Sequence, residues 1–542
     1  MDPILATSGI TWQLVVFCGL SLSVGWGIRG NFGHEYGAAI PGALAAIAAV
    51  LVSGRPDWLA HVHYFAMFGA LGWSFGGSMS YMGVVGYTHS GHPPSVLYGF
   101  ANLFVIGFLW AFMGGAGTAL PAFLTGDRLA IFFVPLTVIF SGWALQSVLV
   151  DLLFSGDRKS GRANLSWYDT DWLASLVAMV AGLIVAAGRG GFDIATSLVL
   201  HLSIGWFLSF LTLVVLLKLR MTPPRGDNWA GCLGLAAGLL IFCWRYDLYG
   251  LALASLITGF IGGIGFSLGQ FLKLLNIRTG LQTNWHSVME QTQGLFHGIA
   301  IAVSMGLLSV LAPSGSGAIP MPAWTGTFAT GFVLIGLTYL NHRKASRNWV
   351  EKVDCLPERP YGLPVAGWFV RSRGWIGWLE LIYIAIGIAV FWLMQMHRSL
   401  PLTFIPDTWL GKGQLLYLVF LWWVVNFNFA LKIVEFSPRR MVTEGLVTFN
   451  AVVCTVLAAS IALADHAYGP TVPQAGAYAG WIRNTIIIGL AATTIITLCH
   501  WGLTQALFGR RHIPFAFRHI RFGPEATTRE ELTESGKPWK SQ

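Results

Sequence analysis

Apolar stretches recur along this chain at nearly regular intervals, separated by short polar links. They fall at about 11–28, 37–53, 59–84, 96–119, 129–153, 171–187, 194–218, 229–243, 250–272, 287–312, 324–341, 374–396, 414–434, 442–464 and 484–508. Most approach the roughly 20 residues that an α-helix needs to cross a bilayer. None alternates apolar and polar positions in the manner of a barrel strand. Inside lipid, a continuous helix is then the way to satisfy every backbone N–H and C=O. The pattern predicts an all-α polytopic membrane protein with about 15 transmembrane helices, or 14 without the short eighth run.

Composition agrees. The chain has 542 residues, 55% hydrophobic and 11% charged, where a soluble domain carries about 25% charge. Glycine (65) and tryptophan (24) are frequent, as expected where helices approach closely and indoles gather at the lipid–water interface. The net charge of +9 sits in the links, so it reports topology and not a nucleic-acid partner. Basic residues cluster after the odd-numbered runs, as in Arg158–Arg162, Lys218–Arg225, Lys273–Arg278, Arg343–Arg373 and Arg439–Arg440. The positive-inside rule makes those links cytoplasmic. It sets the N-terminus outside and the C-terminus in the cytoplasm of a plasma (inner) membrane protein. The start, Met1–Ile4, has no basic n-region, so the first run is expected to be retained as a helix. The six cysteines form no C-x-x-C pair and lie mostly in apolar runs, where they read as inert thiols.

A faint repeat adds to this. Glycine-rich polar stretches end the first and ninth runs, and an acidic residue followed by basic ones ends the fifth (Asp151) and thirteenth (Glu435). Both pairs are eight runs apart. The expected organisation is two parallel seven-helix halves, residues 1–228 and 250–509, joined by a linking helix in 229–249. Parallel repeats are one transporter plan, with the site between the halves. Residues 343–373 read as a cytoplasmic loop and 510–542 as a basic, partly disordered tail.

Two stretches carry the candidate chemistry. The first, Gly25-Trp-Gly-Ile-Arg-Gly-Asn-Phe-Gly-His-Glu-Tyr-Gly37, joins two membrane runs and contains Arg29, His34 and Glu35. Its glycines permit a bend, which would let Arg29 meet Glu35 and expose backbone groups to an ion or anion. The second holds His286, Glu290, Gln293 and His297 at spacings of 4, 3 and 4, one face of a helix. Ionisable groups at membrane depth are costly and mark pathways or pairs. The two stretches are expected to meet in one polar site. Gly72–Ser78 repeats the Gly-Trp pattern and reads as a packing face. His61/His63 and His89/His92 are short pairs without a metal-site pattern, H-E-x-x-H is absent, and no metal or organic cofactor is expected.

Asp157-Arg-Lys-Ser-Gly-Arg162 loosely resembles the cytoplasmic loop signature of major-facilitator transporters. It covers six residues and follows the fifth run instead of the second helix of a half, so it assigns no family. The leading expectation is a secondary active transporter of a small polar or anionic solute, coupled to protons or sodium. Arg29 would hold the anionic group or Glu35, and Glu290, helped by His286 or His297, would be the coupling carboxylate. An intramembrane transferase acting on a lipid-linked or sugar substrate, and a non-catalytic subunit of a membrane complex, are the alternatives. The sequence does not specify an oligomeric state.

Overall fold

A computed structural model describes residues 9–30, 35–124, 126–154, 172–221, 227–279, 283–313, 321–338, 340–341, 409–433 and 438–463, with four isolated positions between 385 and 392. Every regular element among them is helical. In chain order these are α1 (Trp12–Arg29), α2 (Glu35–Val52), α3 (Val62–Gly76), α4 (Met82–Thr88), α5 (Pro93–Phe123), α6 (Phe133–Phe154), α7 (Trp172–Gly188), α8 (Ile194–Phe210), α9 (Asn228–Arg245), α10 (Tyr249–Ile277), α11 (Trp285–Leu311), α12 (Ala323–Gly331), α13 (Trp409–Ile433) and α14 (Pro438–Leu463). Single-turn helices at Pro56–Ala60 and Gly126–Ala130 precede α3 and α6. Short π-helical segments, Leu211–Leu216 and Phe332–Leu337, extend α8 and α12.

Six helical segments among the described residues are long and apolar enough to span a membrane: Pro93–Phe123, Gly126–Gln146, Ile194–Leu216, Asn228–Arg245, Tyr249–Ile277 and Trp285–Leu311. Shorter apolar helices accompany them. Many large apolar side chains point outward, among them Leu97, Ile184, Phe260 and Val456. An outer face of this kind belongs against lipid. The protein is a helical, membrane-embedded one. A count of 15 crossings is not established. The runs at 374–396 and 484–508 lie essentially outside the described residues, as do the tail and the major-facilitator-like hexapeptide. The short eighth run is more secure than its length suggested, since α9 is one of the six.

The run at 59–84 is not one helix. It breaks at Gly77 and resumes at Met82. The reason is visible at Gly76, where a β-carbon would lie 2.1 Å from the Trp110 ring. Trp110 Nε1 donates to the Trp73 carbonyl across the same contact, at 2.9 Å. The indole of α5 thus packs on the end of α3, and the chain turns away, carrying Tyr81 inward.

Helices α1, α2, α3, α5, α10 and α11 form a closed ring, each packed on the next and α11 on α1. Four of them precede residues 229–249 and two follow. α8 and α9 pack together, with α7 on α8 and α9 on α5, while α13 and α14 pack on each other beside α1 and α2. Glycine permits these approaches. On α11, β-carbons at Gly294 and Gly298 would lie 2.5 and 2.1 Å from the Leu22 and Cys18 carbonyl oxygens of α1. This is the small-residue, four-apart spacing by which membrane helices touch backbones. In α2, Pro41 interrupts the hydrogen-bond ladder, and Gly25 of α1 lies directly against its ring.

A clamp fixes the end of the ring away from the polar stretches. Arg55 forms a two-bond pair with Asp57 (2.8 and 2.6 Å) and donates to the carbonyls of Ser309, Ala312 and Pro313 at 3.1, 3.1 and 2.8 Å. These include carbonyls at the C-terminus of α11, where a cation opposes the helix dipole. Arg55→Ala is expected to cost about 1.5–3 kcal/mol, the usual worth of hydrogen bonds from a charged donor. Thermal melting of the detergent-solubilised protein checks this, and an unchanged midpoint would discount the clamp.

Candidate functional site

The glycine-rich stretch is helical through Arg29, so no bend falls at Gly25 or Gly27. Gly25 and Gly27 lie inside α1, and Gly30 caps it with an ordinary φ of −57°. These glycines serve contact instead: β-carbons would meet Pro41 at Gly25, Gln291 at Gly27 and the Arg29 carbonyl at Gly37, each within 2.7 Å. Residues 31–34, His34 among them, lie outside the described residues. Glu35 begins α2, and its side chain is likewise not described.

Arg29 ends α1 and points into the ring, 1% exposed. Among the described side chains its ionic partner is Glu290 of α11. Arg29 Nη2 donates to Glu290 Oε1 at 3.1 Å and to the Tyr81 hydroxyl at 2.6 Å. Tyr81 in turn donates to the same Glu290 oxygen at 2.5 Å. The guanidinium carbon sits 4.2 Å from the Trp26 ring centroid and 4.8 Å from that of Trp110. Two cation–π contacts therefore flank the charge. Arg29 Nε and Nη1 are buried without a hydrogen-bond partner among the described residues.

His297 lies two turns deeper on α11, fully buried. Its ring packs among Trp26, Trp73 and Phe266, with centroids 5.0, 5.1 and 5.5 Å away. The backbone of Gly262 lies beside it, but neither ring nitrogen completes a hydrogen bond of normal geometry. Gln293 donates to the Phe266 carbonyl at 3.2 Å and ties α11 to α10. His286 is at the outer edge, 3.7 Å from Glu290 Oε1 and half-exposed. Lys273 of α10 is within Coulombic reach of Glu290.

Comparison with family models, with curated proteins and with solved structures gives no match. The reading of this site therefore rests on its own geometry.

Of the residues singled out in the sequence, the structure brings Arg29, His286 and Glu290 into one cluster, with Gln293 and His297 continuing inward along α11. The two polar stretches do meet, through Arg29 and Glu290. Sequence reasoning missed Tyr81, Trp26 and Trp110. The usable signal for Tyr81 was the pair Gly76-Gly77 followed by Ser78, Ser80 and Tyr81, an unlikely continuation for a membrane helix. For Trp110 the surrounding sequence is uniformly apolar and carried none. Elsewhere Gln270 donates to Thr88 Oγ1 at 2.7 Å with His89 Nε2 3.0 Å away, and Asn450 donates to Ser23 at 3.3 Å. These are bridges between helices.

Proposed function

We propose that this chain is a secondary active transporter of a small anionic solute, coupled to protons, with Arg29 and Glu290 at its centre. The observation that carries the reading is the buried Arg29–Tyr81–Glu290 cluster inside a ring of membrane helices. A buried ion pair is weak as a stabiliser, because desolvation offsets much of the attraction, and apolar side chains often do as well or better. A pair kept at such cost invites a working role. Exposure of the side chains falls from 34% at His286 to 9% at Glu290 and 1% at Arg29. That order supports a path in which a proton enters at His286, neutralises Glu290, and releases Arg29. Protonation then favours one set of partners over the other, which is the differential affinity any coupled transition requires.

The test uses proteoliposomes loaded with a pH dye and offered a panel of small organic anions. The wild-type protein should move protons with its solute, and Glu290→Gln should abolish proton movement and gradient-driven accumulation. Full accumulation by Glu290→Gln would remove Glu290 from the mechanism.

A further inference from the structure

Arg29 uses one of its three guanidinium nitrogens. Nη2 makes both of its hydrogen bonds, while Nε and Nη1, equally buried, make none. A guanidinium presents five N–H donors in a planar fork suited to two parallel bonds with one carboxylate. Glu290 does not take that fork. It offers Oε1 alone, and that oxygen is shared with Tyr81. The indole N–H of Trp26, stacked beside the guanidinium, is also buried without an acceptor. The unpaired groups on Arg29 itself and on the Trp26 ring beside it are donors, which call for an acceptor of negative charge, while the unpaired acceptors Gln291 Oε1 and Gln293 Oε1 belong to α11. Trp26 and Trp110 pack beside the guanidinium, 4.2 and 4.8 Å from its carbon, so an acceptor would meet it at its edge once Glu290 moves. Gly30 is exposed, and a β-carbon there would lie 3.5 Å from Glu290 Oε2.

We propose that Arg29 binds the carboxylate of a small organic acid, which displaces Glu290 from the guanidinium as Glu290 takes up one proton. The inference rests on the transporter reading and names its substrate class. The balance is simple. The resting site holds Arg29 positive and Glu290 negative. With the anion bound it holds Arg29 positive, the substrate negative and Glu290 neutral, one anion and one proton having entered. Without the proton, two carboxylates would share one buried cation, an arrangement that strongly disfavours ionisation of both. The charged and titratable groups facing Glu290 are Arg29 of α1, Tyr81 before α4, Lys273 of α10 and His286 of its own helix. Two of these are cationic, so the exchange proceeds in a site already biased toward anions. Freed Nη2, with Nε or Nη1, completes the fork that Glu290 leaves unmade.

The full-length protein in detergent and weak buffer is titrated with sodium acetate, succinate and benzoate, with sodium sulfate and choline chloride for comparison. Indole fluorescence reports binding and a pH dye reports proton uptake. At least one carboxylate should bind with about one proton taken up per anion, and affinity should fall about tenfold per pH unit on the alkaline side. Glu290→Gln should bind the same anion with no proton uptake and a flat pH profile. Arg29→Lys, which keeps the charge and loses the fork, should weaken binding at least tenfold. No carboxylate binding, binding without proton uptake, preference for sulfate or choline, or indifference to Arg29→Lys would each overturn the proposal. Carboxylate binding with proton uptake but no accumulation in proteoliposomes would overturn the transporter reading and leave the exchange at Arg29 standing. Accumulation unaffected by Arg29→Lys would do the reverse.

Discussion

Replacing Arg29 by alanine is expected to destabilise the protein by about 3–5 kcal/mol, the usual cost of orphaning one partner of a buried ion pair. Glu290 would keep its contact with Tyr81 but lose the only cation hydrogen-bonded to it among the described residues. Two cation–π contacts, with Trp26 and Trp110, would go as well. The double variant Arg29→Met with Glu290→Leu separates the roles of the pair. It removes both charges and fills the space with apolar atoms, so its stability should return to within about 1–2 kcal/mol of wild type, or exceed it. Its transport should stay abolished. Thermal melting and proteoliposome uptake make the comparison. If the double variant melts as low as Arg29→Ala, the pair is structural and the functional reading of its cost is lost.

The same pair shows what a single sequence can and cannot reveal. Arg29 and Glu290 stood out because charges are rare within apolar runs, and that reasoning selected both. It offered Arg29 an anionic group or the nearby Glu35, because the only distance available was along the chain. Glu290, its partner among the described side chains, is 261 residues away, and nothing in one sequence encodes that separation. The glycines of residues 25–37 pose the matching problem. Glycine serves equally for a bend and for a close helix contact, and the run of polar neighbours suggested the bend. In the fold Gly25 faces Pro41 and Gly27 faces Gln291, which are tertiary facts. Helical class and most helix positions followed from hydropathy, because lipid leaves so few backbone solutions. The break before Tyr81 did not follow from hydropathy, since Met79, Tyr81 and Val84 keep the run apolar; its trace was the Gly76-Gly77 pair with Ser78 and Ser80, and Trp110 of another helix packs where α3 ends.

The second large effect concerns how the site is held. Gly298→Ala is expected to cost about 1–3 kcal/mol, as for an added methyl in a packed core, and Gly298→Leu more. A β-carbon at Gly298 would lie 2.1 Å from the Cys18 carbonyl oxygen and 2.5 Å from its carbonyl carbon. Those are backbone atoms of α1, which no rotamer change can move aside. The helices must separate, and α1 carries Trp26 and Arg29 while α11 carries Glu290 and His297. The substitution should therefore lower both the melting midpoint and the anion affinity, though Gly298 lies two turns from Glu290 and touches no charged group of the site. Gly445→Ala is the control. It lies within helix α14 with nothing inside 4 Å of the added carbon, so the better helix propensity of alanine should leave stability unchanged or raise it by up to about 1 kcal/mol. Equal melting of the two variants would mean that the α1–α11 contact does not set the geometry of the pair. A loss of anion affinity confined to Gly298→Ala would instead tie the position of Arg29 to the seam between these helices.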